Sequence, residues 1–380
     1  MKAGDAYRVP RSRAFATHAA LRHEILQALE PLLFGSMHGA YDARARLEAA
    51  FAEAVQQPHA IAVHSGTIAL HIALRACGAG PGDEVITVSN SDISTTAAIR
   101  QCGAIPVFCD VRDSDYNIDI DQVEALITPR TRALLPVDLY GHPADVRRLR
   151  TIADRHGLRI VEDAALATGA RDHGRPVGAF ADAAVFSFAP YKPMGSAGNG
   201  AMITTHDAEI AAQCRLLTGY GHAFDADDVP VGQQKYIAEG YNVPLDGLEA
   251  ALVRVKLPYL AAWTARRRAI AERYQRGLAD TAAHCPIFRP ESEPTFRAYT
   301  ICVPERERVY HHLRDAGIEV VLHYSPPARH HPVYAGQFDD VHLPITDRLA
   351  KELICLPVAP ELTDDEIDFV VNELRALLRE

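Results

Sequence analysis

Residues 59–165 alternate between short apolar runs and segments with helical spacing, and this alternation constrains the fold more than any other feature of the sequence. The apolar runs predict strands, and the segments between them predict helices. The predicted strands are HAIAVHS (59–65), EVITVS (84–89), IPVFCDV (105–111), TRALLPVDL (131–139) and RIVEDAA (159–165). Helices are predicted over 66–78, 94–103, 119–127 and 144–157. Strands separated by helices indicate an α/β fold, with a mostly parallel central sheet and helices on both faces.

The regions on either side of this alternation have different patterns. Amphipathic helices are predicted before it, over 16–33 and 42–56, and a long helical region after it, over 247–280. The remainder predicts the strands FRAYTICV (296–303) and IEVVLHY (318–324) and helices over 305–316, 346–353 and 363–378. A chain of 380 residues exceeds the size of one core. We therefore expect a large α/β domain, 1–250, and a smaller C-terminal α+β domain, 251–380.

Composition excludes several classes of function. The formal net charge of −10 argues against a nucleic-acid surface. The first residues have no apolar core for a signal peptide, and no run approaches the roughly eighteen apolar residues of a membrane span. Seven scattered cysteines without a Cys-x-x-Cys pair predict reduced thiols in a cytoplasmic protein. The adjacent pairs His311-His312 and His330-His331 lack an acidic partner at ligand spacing, so we expect no metal site.

Three polar features follow predicted strands. Ser65-Gly66-Thr67 stands at a strand-to-helix turn, where free amides and the helix dipole favour a phosphate, although the same residues form an ordinary helix cap. Asp163 ends another strand and either faces a ligand or caps a following helix. Lys192 follows the apolar run 185–188 and begins the glycine-rich loop 193–200. A solvent-exposed lysine is the ordinary interpretation of such a residue.

An amine, an acid and a phosphate cradle are together what pyridoxal 5′-phosphate requires. The lysine binds the cofactor aldehyde, the acid keeps the pyridine nitrogen protonated, and the turn holds the phosphate. The order and spacing of the three features along the chain favour this interpretation over three unrelated ones.

At these residues the chain resembles the DegT/DnrJ/StrS sugar aminotransferases, which are fold-type I pyridoxal phosphate enzymes. The resemblance runs from about residue 30 to 375. It rests on SGTIALHIAL (65–74), GPGDEVIT (80–87), GAIPVFCDV (103–111), LPVDLYGHPAD (135–145), GLRIVEDAA (157–165), FSFAPYKPMGSAGNGA (186–201), GYNVPLDGLEAAL (240–252) and LPVAPELTDDEI (356–367). It implies the pyridoxal phosphate-dependent transferase fold of type I.

The resemblance also implies roles for individual residues. Lys192 matches the lysine that binds the cofactor covalently, and Asp163 matches the acid at the pyridine nitrogen. The phosphate is implied to lie against Ser65-Gly66-Thr67 and Ser187. Asn242 matches an asparagine that relatives insert from the neighbouring subunit. A homodimer with its active site at the subunit interface is therefore expected.

The chain departs from the family pattern at two positions. Asp92 stands where relatives usually place an aromatic residue on the cofactor ring, and Leu166 stands where they usually carry Gln or His near the phenolic oxygen. Both residues are still expected to contact the cofactor. The resemblance places substrate specificity in the loop 219–239 and around His323 and Tyr324.

The resemblance implies transfer of an amino group from an amino acid, glutamate or glutamine, to a ketone of a sugar or cyclitol. The sequence does not decide between nucleotide-linked sugars, sugar phosphates, free sugars and cyclitols. One alternative is a sugar dehydratase, but the dehydratases of the family replace the lysine with histidine. Another is a regulatory relative without catalysis, which the presence of Lys192 and Asp163 disfavours.

Overall fold

The computed structural model describes residues 7–36, 38–222 and 234–378. Part of the loop that was expected to carry specificity, 223–233, lies outside the described residues. The strands, in chain order, are β1 His59–Val63, β2 Glu84–Val88, β3 Ile105–Cys109, β4 Thr131–Leu134, β5 Arg159–Asp163, β6 Arg171–Asp172, β7 Arg175–Pro176, β8 Ala183–Ser187, β9 Ala201–Thr205, β10 Ser292–Glu293, β11 Tyr299–Cys302 and β12 Leu353–Leu356.

The helices follow the same chain order. They are α1 Ala14–Ala20, α2 Arg22–Phe34, α3 His38–Ala54, α4 Gly66–Ala76, α5 Ile93–Gln101, α6 Ile120–Val123, α7 Val146–His156, α8 Ala208–Thr218, α9 Gly247–Lys256, α10 Leu260–Leu278, α11 Arg306–Asp315, α12 Pro344–Glu352 and α13 Asp364–Leu378. Short 3₁₀ turns occur at Glu124–Leu126, Leu139–Gly141, Leu257–Tyr259, Ala328–His330 and Pro332–Tyr334.

The central sheet confirms the predicted α/β fold. Within the described residues it has seven strands in the order β1-β9-β8-β5-β4-β2-β3. Strands β3, β2, β4, β5 and β8 pair in parallel, whereas β9 pairs antiparallel with both β8 and β1. The carboxyl ends of β1, β2, β4, β5 and β8 therefore lie at the same edge of the sheet.

Consecutive residues of a strand point to opposite faces of the sheet, so apolar strands need cover on both faces. Helices provide that cover here. Val185 on β8 belongs to the apolar cluster under α4, α5 and α8, whereas its neighbour Phe186 packs with α3 and α9. On β5, Val161 faces the α4 side and Ile160 faces α7. This two-sided burial explains why the strands read as continuous apolar runs in the sequence.

The C-terminal part of the chain builds an apolar cluster of its own. It joins α10, α11 and α13 to the antiparallel pair β11 and β12, with Val9 from the N-terminal segment. The predicted strand 318–324 is wrong. Ile318 and Val320 are buried, as the pattern required, but the backbone forms only two isolated bridges, from Ile318 to Val9 and from Val321 to Cys355, and no continuous strand.

Two predicted helices are shorter than their patterns indicated. Helix α6 covers four residues and passes into the 3₁₀ turn Glu124–Leu126. The long helical region 247–280 is divided between α9 and α10 at Leu257–Tyr259, where Pro258 cannot donate a helical hydrogen bond. The predicted division of domains after residue 250 falls within α9, and it stays a prediction.

All seven cysteines lie in the described part of the chain and are free thiols. Among the described residues, no helix is both long and apolar enough to span a membrane.

Candidate active site

The polar features predicted from the sequence lie together at the carboxyl edge of the sheet. Ser65 follows β1, Asp163 ends β5 and Ser187 ends β8, with Asp163 paired in register with Val185. Parallel strands direct their carboxyl ends to one edge, where ligands of α/β proteins bind. The structure therefore brings together residues that are far apart in the sequence.

Helix α4 begins at this edge with free amides. Ser65 has extended backbone angles at the N-cap, and its side chain makes no capping hydrogen bond. A Cβ atom added to Gly66 would lie 3.5 Å from the Ser187 Oγ atom, so the serine hydroxyl stands directly against the first helical turn. Ser65, Gly66 and Thr67 are partly exposed. Amides, a helix dipole and a hydroxyl at one point suit a phosphate.

Asp163 is buried, with 4% of its surface exposed. One carboxylate oxygen accepts a hydrogen bond from Thr95 Oγ1 at 2.9 Å, and the other accepts from the Ala165 amide at 3.2 Å. Burial raises the pKa of Asp163, while the Thr95 hydrogen bond and the charge of Lys192 oppose that rise. Turns rather than a helix follow β5, so Asp163 is not a helix cap.

Lys192 lies in a tight turn after β8. Its amide donates to Ala189 O at 2.9 Å, and the Gly195 amide donates to the Lys192 carbonyl, also at 2.9 Å. Among the described residues its Nζ atom has no hydrogen-bond or ion-pair partner. Burial and the charge of Arg297 lower the pKa of Lys192 to about 8, against the opposing charges of Asp163 and Asp92. The solvent-exposed interpretation is therefore wrong, since the side chain is partly buried among charged groups.

A second group of charged residues, from α9 and α10, holds the loop after Lys192. Lys256, which is 3% exposed, donates from Nζ to the Gly195 carbonyl. Arg267 donates to the Pro193 carbonyl at 3.3 Å, and Glu249 accepts from the Ser196 hydroxyl. The sequence analysis missed these residues because their helical patterns do not show which carbonyls they reach.

Asp92, His323 and Tyr324 line one cavity of about 410 Å³ beside the site. Asp92 accepts a hydrogen bond from the Ser94 amide at 2.9 Å as the N-cap of α5. Burial opposes ionisation of Asp92, but the Ser94 hydrogen bonds and the charge of Lys192 lower its pKa overall. Burial, followed by the charge of Arg297, lowers the pKa of His323 to about 4, so this imidazole is neutral near pH 7.

Two further predicted site residues, Leu166 and Asn242, do not line this cavity. Leu166 is buried, with 8% of its surface exposed, and supplies no polar atom from its side chain. Asn242 is exposed and lines a different cavity, of about 780 Å³, together with residues of α3 and α8 such as Tyr41 and Arg215. Lys192 is not among the residues that line this cavity.

One group of possible metal ligands occurs in the described part of the chain, Asp145, Asp172 and His173. Arg289 already pairs with both acids, at 3.8 Å from Asp145 and 2.7 Å from Asp172. Arg289 therefore already supplies the positive charge that balances the two carboxylates.

Comparison with known proteins identifies the family. The model of the DegT/DnrJ/EryC1/StrS aminotransferase family matches residues 19–375. The dTDP-3-amino-3,4,6-trideoxy-alpha-D-glucose transaminase of Streptomyces venezuelae is 39% identical over 372 residues, which cover 97% of this chain and 96% of that protein. The chain belongs to the DegT/DnrJ/EryC1/StrS aminotransferase family.

Solved structures of this family have the same fold. The crystal structure of S. venezuelae DesV is 37% identical, with a TM-score of 0.91, and the match covers 98% of this chain and 99% of that chain. Bacillus subtilis NtdA, solved with bound cofactor PMP, is 28% identical with a TM-score of 0.85 over 95% of this chain and 82% of that chain. The protein is an aminotransferase of fold type I, and its cofactor is pyridoxal 5′-phosphate.

The residues at the sheet edge fit this cofactor. The amides of α4 and the Ser187 hydroxyl suit its phosphate, the buried Asp163 suits a protonated ring nitrogen, and Lys192 offers an amine without a protein partner among the described residues.

The Lys192 amine should titrate near pH 8 in the cofactor-free protein. Burial and Arg297 lower its pKa from 10.5 to about 8, so the amine is protonated and unreactive below that pH and free above it. Pulse acetylation at a series of pH values, followed by peptide mass spectrometry, gives the midpoint. Lys351, exposed on α12, serves as the control. Equal midpoints for the two lysines would contradict the environment described for Lys192.

Proposed function

We propose that the protein transfers an amino group from an amino acid, glutamate or glutamine, to a ketone of a sugar or cyclitol. The arrangement of Lys192 and Asp163 carries this proposal: an amine with a lowered pKa lies beside a buried acid at the carboxyl edge of the sheet. The sugar transaminase named among the relatives supports a keto sugar as the acceptor.

The proposed roles follow from the positions of the side chains. Pyridoxal phosphate, when bound, supplies the aldehyde that exchanges amino groups and a ring that takes up an electron pair. Lys192 binds the cofactor and, once displaced, moves a proton to and from the amino-bearing carbon, for which a pKa of about 8 is well suited. Asp163 holds the ring nitrogen protonated, and Thr95 fixes the orientation of the Asp163 carboxylate.

Ser187 and the amides of Ser65 to Thr67 hold the phosphate in this proposal. Asp92 and Leu166 lie at the positions where relatives contact the ring, and His323 and Tyr324 contact the substrate. The shared cavity of Asp92, His323 and Tyr324 supports the assignment of these three. The buried hydrocarbon side chain of Leu166 offers the ring an apolar contact.

The proposed assembly is a homodimer in which Asn242 completes the partner's site. Exposed apolar side chains support a second copy: Phe34 is 83% exposed, and Tyr41 is 62% exposed on the rim of the cavity that Asn242 lines. The proposed location is the cytoplasm, where the seven free thiols would stay reduced.

Two alternatives are weaker. A sugar dehydratase of this family would carry histidine in place of Lys192. A regulatory protein without catalysis would not need a partly buried amine beside a buried acid, which costs stability unless a ligand uses it.

The protein should bind its cofactor through Lys192 and pass an amino group to a keto sugar. Borohydride should attach the cofactor to the peptide that contains Lys192. The pyridoxamine form, mixed in turn with keto forms of nucleotide sugars, sugar phosphates, free sugars and cyclitols, should regain the absorption of the pyridoxal form with the true acceptor. Attachment to Lys235 or Lys256 would refute the assignment of Lys192, and a lack of response to every acceptor class would refute the proposed reaction.

Asp163→Asn should slow the half-reaction with the amino donor by about 10²-fold or more, since a charge placed for the transition state is lost while the shape is kept. Cofactor affinity should change much less, because the phosphate contacts are elsewhere. Single-turnover absorption and cofactor titration measure the two quantities. Asp207→Asn, at the N-cap of α8, is the matched control for a structural aspartate. A wild-type rate in Asp163→Asn would show that this carboxylate has no role in the reaction.

Mixing inactive Lys192→Ala and Asn242→Ala chains should restore activity if Asn242 acts across the subunit interface. A hybrid dimer then contains one site with both residues intact, so up to about one quarter of wild-type activity per site should return after random exchange. Mass spectrometry of the intact dimers verifies the exchange. Activity that stays at the level of the parent variants would place Asn242 in its own chain's site or outside any site.

A further inference from the structure

Two arginines that the sequence analysis did not select, Arg11 and Arg297, lie beside Lys192. Arg297 follows Phe296, and its amide donates to the Tyr140 carbonyl at 2.8 Å. The Tyr140 hydroxyl in turn donates to the His323 carbonyl at 2.9 Å, which joins Arg297 to the substrate cavity. Of the charged side chains near Lys192, Arg297 has the largest effect on its pKa.

Arg11 approaches the same place from the N-terminal segment. Its guanidinium carbon lies 4.9 Å from the ring centre of Tyr191, the residue before Lys192. Its Nη1 atom lies 3.4 Å from Nε2 of His323. Arg11 therefore lies against His323 and the residue before Lys192, and the charge of Arg297 acts on both Lys192 and His323.

Neither guanidinium has an acid partner among the residues described. The Nε atoms of Arg11 and Arg297 are buried without a hydrogen bond, and no ion pair involves either side chain. Burial and the charge of Arg11 lower the pKa of Arg297 to about 10. Two neighbouring cations without an acidic partner are costly in a protein unless a ligand supplies the negative charge.

The nearby acids are already used. Glu319 accepts from the backbone amide of Arg11 at 2.8 Å, and forms no ion pair with either guanidinium. The Asp163 carboxylate accepts from Thr95 and from the Ala165 amide. Asp92 accepts from the Ser94 amide. Apart from the contact of Arg11 Nη1 with His323 Nε2, no side chain of the described residues accepts a hydrogen bond from either guanidinium, and the remaining N–H groups are available to a ligand.

We propose that Arg11 and Arg297 form a carboxylate-binding subsite that positions the substrate whose amino group is exchanged at Lys192. The proposal rests on the proposed function. A guanidinium presents a planar pair of donors that matches a carboxylate. An amino donor carries a carboxylate on the carbon that bears its amine, so a carboxylate subsite must lie close to Lys192. An acidic sugar acceptor could bring the same group.

The test compares Arg297→Gln, Arg297→Lys and Arg11→Gln with wild-type holoenzyme. Arg276→Gln is the control, because Arg276 is exposed on α10 and pairs with Glu272 one turn away. Glutarate, a dicarboxylate without an amine, is titrated by calorimetry to measure binding without turnover. The donor half-reaction is followed with glutamate, and the acceptor half-reaction with a keto-uronic acid and its neutral keto-sugar analogue.

Loss of charge-assisted hydrogen bonds should weaken glutarate binding by roughly 10- to 100-fold in both glutamine variants, with a smaller loss in Arg297→Lys. A matching rise in KM for glutamate assigns the subsite to the donor, and a selective loss for the keto-uronic acid assigns it to the acceptor. Arg297→Gln should also raise the Lys192 titration midpoint in the cofactor-free protein, because the charge of Arg297 lowers the pKa of Lys192. Arg11→Gln tests the proposal independently if Arg297→Gln does not fold.

If both glutamine variants bind glutarate and run the half-reactions as the wild-type enzyme does, the carboxylate subsite is overturned and the proposed function still stands. Wild-type enzyme that reacts with no amino donor would instead refute the proposed function. Glutarate binding would still decide whether the two arginines take a carboxylate.

Discussion

The shared direction of the parallel strands is the constraint on which the candidate site depends. Because β5 and β8 end at the same edge, Asp163 and Ser187 become neighbours although a turn-rich segment separates them in the chain. Strand β9 lies between β8 and β1, and its first residue, Ala201, pairs with both Ser187 and Val63. At the same edge, Gly66 at the start of α4 lies close to Ser187, since an added Cβ atom would be 3.5 Å from the serine Oγ atom, and the two form the phosphate cradle.

Burial shifts the pKa values of Lys192 and Asp163 in opposite directions, and the charge of each residue partly offsets the shift of the other. It lowers the pKa of Lys192 and raises the pKa of Asp163, because both charged forms lose hydration. Their mutual attraction favours the charged forms, while Arg297 opposes protonation of the lysine. The resulting pKa of about 8 leaves a fraction of the amine uncharged near neutral pH, which an attacking amine requires. Burial, assisted by the charge of Arg297, thus prepares Lys192 for reaction before any ligand binds.

The sequence predicted those parts of the molecule that local pattern determines. The pattern indicated the apolar strands, the helices, Asp163 at a strand end and Lys192 at a glycine-rich turn, since period and turn chemistry are local properties. The strand predicted over 318–324 failed because pairing with Cys355 ends after one residue, which local pattern cannot show. Thr95 and Arg297 were missed for a related reason. Each reaches the site through tertiary packing, and neither stands in a sequence pattern that marks a ligand-binding residue.

Hydrogen-bond accounting separates the cations that build the site from those that are left for a ligand. Lys256 and Arg267 are the more deeply buried pair, yet each donates to a main-chain carbonyl of the loop after Lys192. Their charges hold the loop, although the Nη1 atom of Arg267 is also buried without a hydrogen bond among the described residues. Arg11 and Arg297 are less buried, but no carbonyl or carboxylate among the described residues accepts from the guanidinium of either. Depth of burial alone would therefore select Lys256 and Arg267 as the ligand-binding cations. Arg11 and Arg297 are the better candidates, because a ligand is recognised by donors that the fold has not already satisfied.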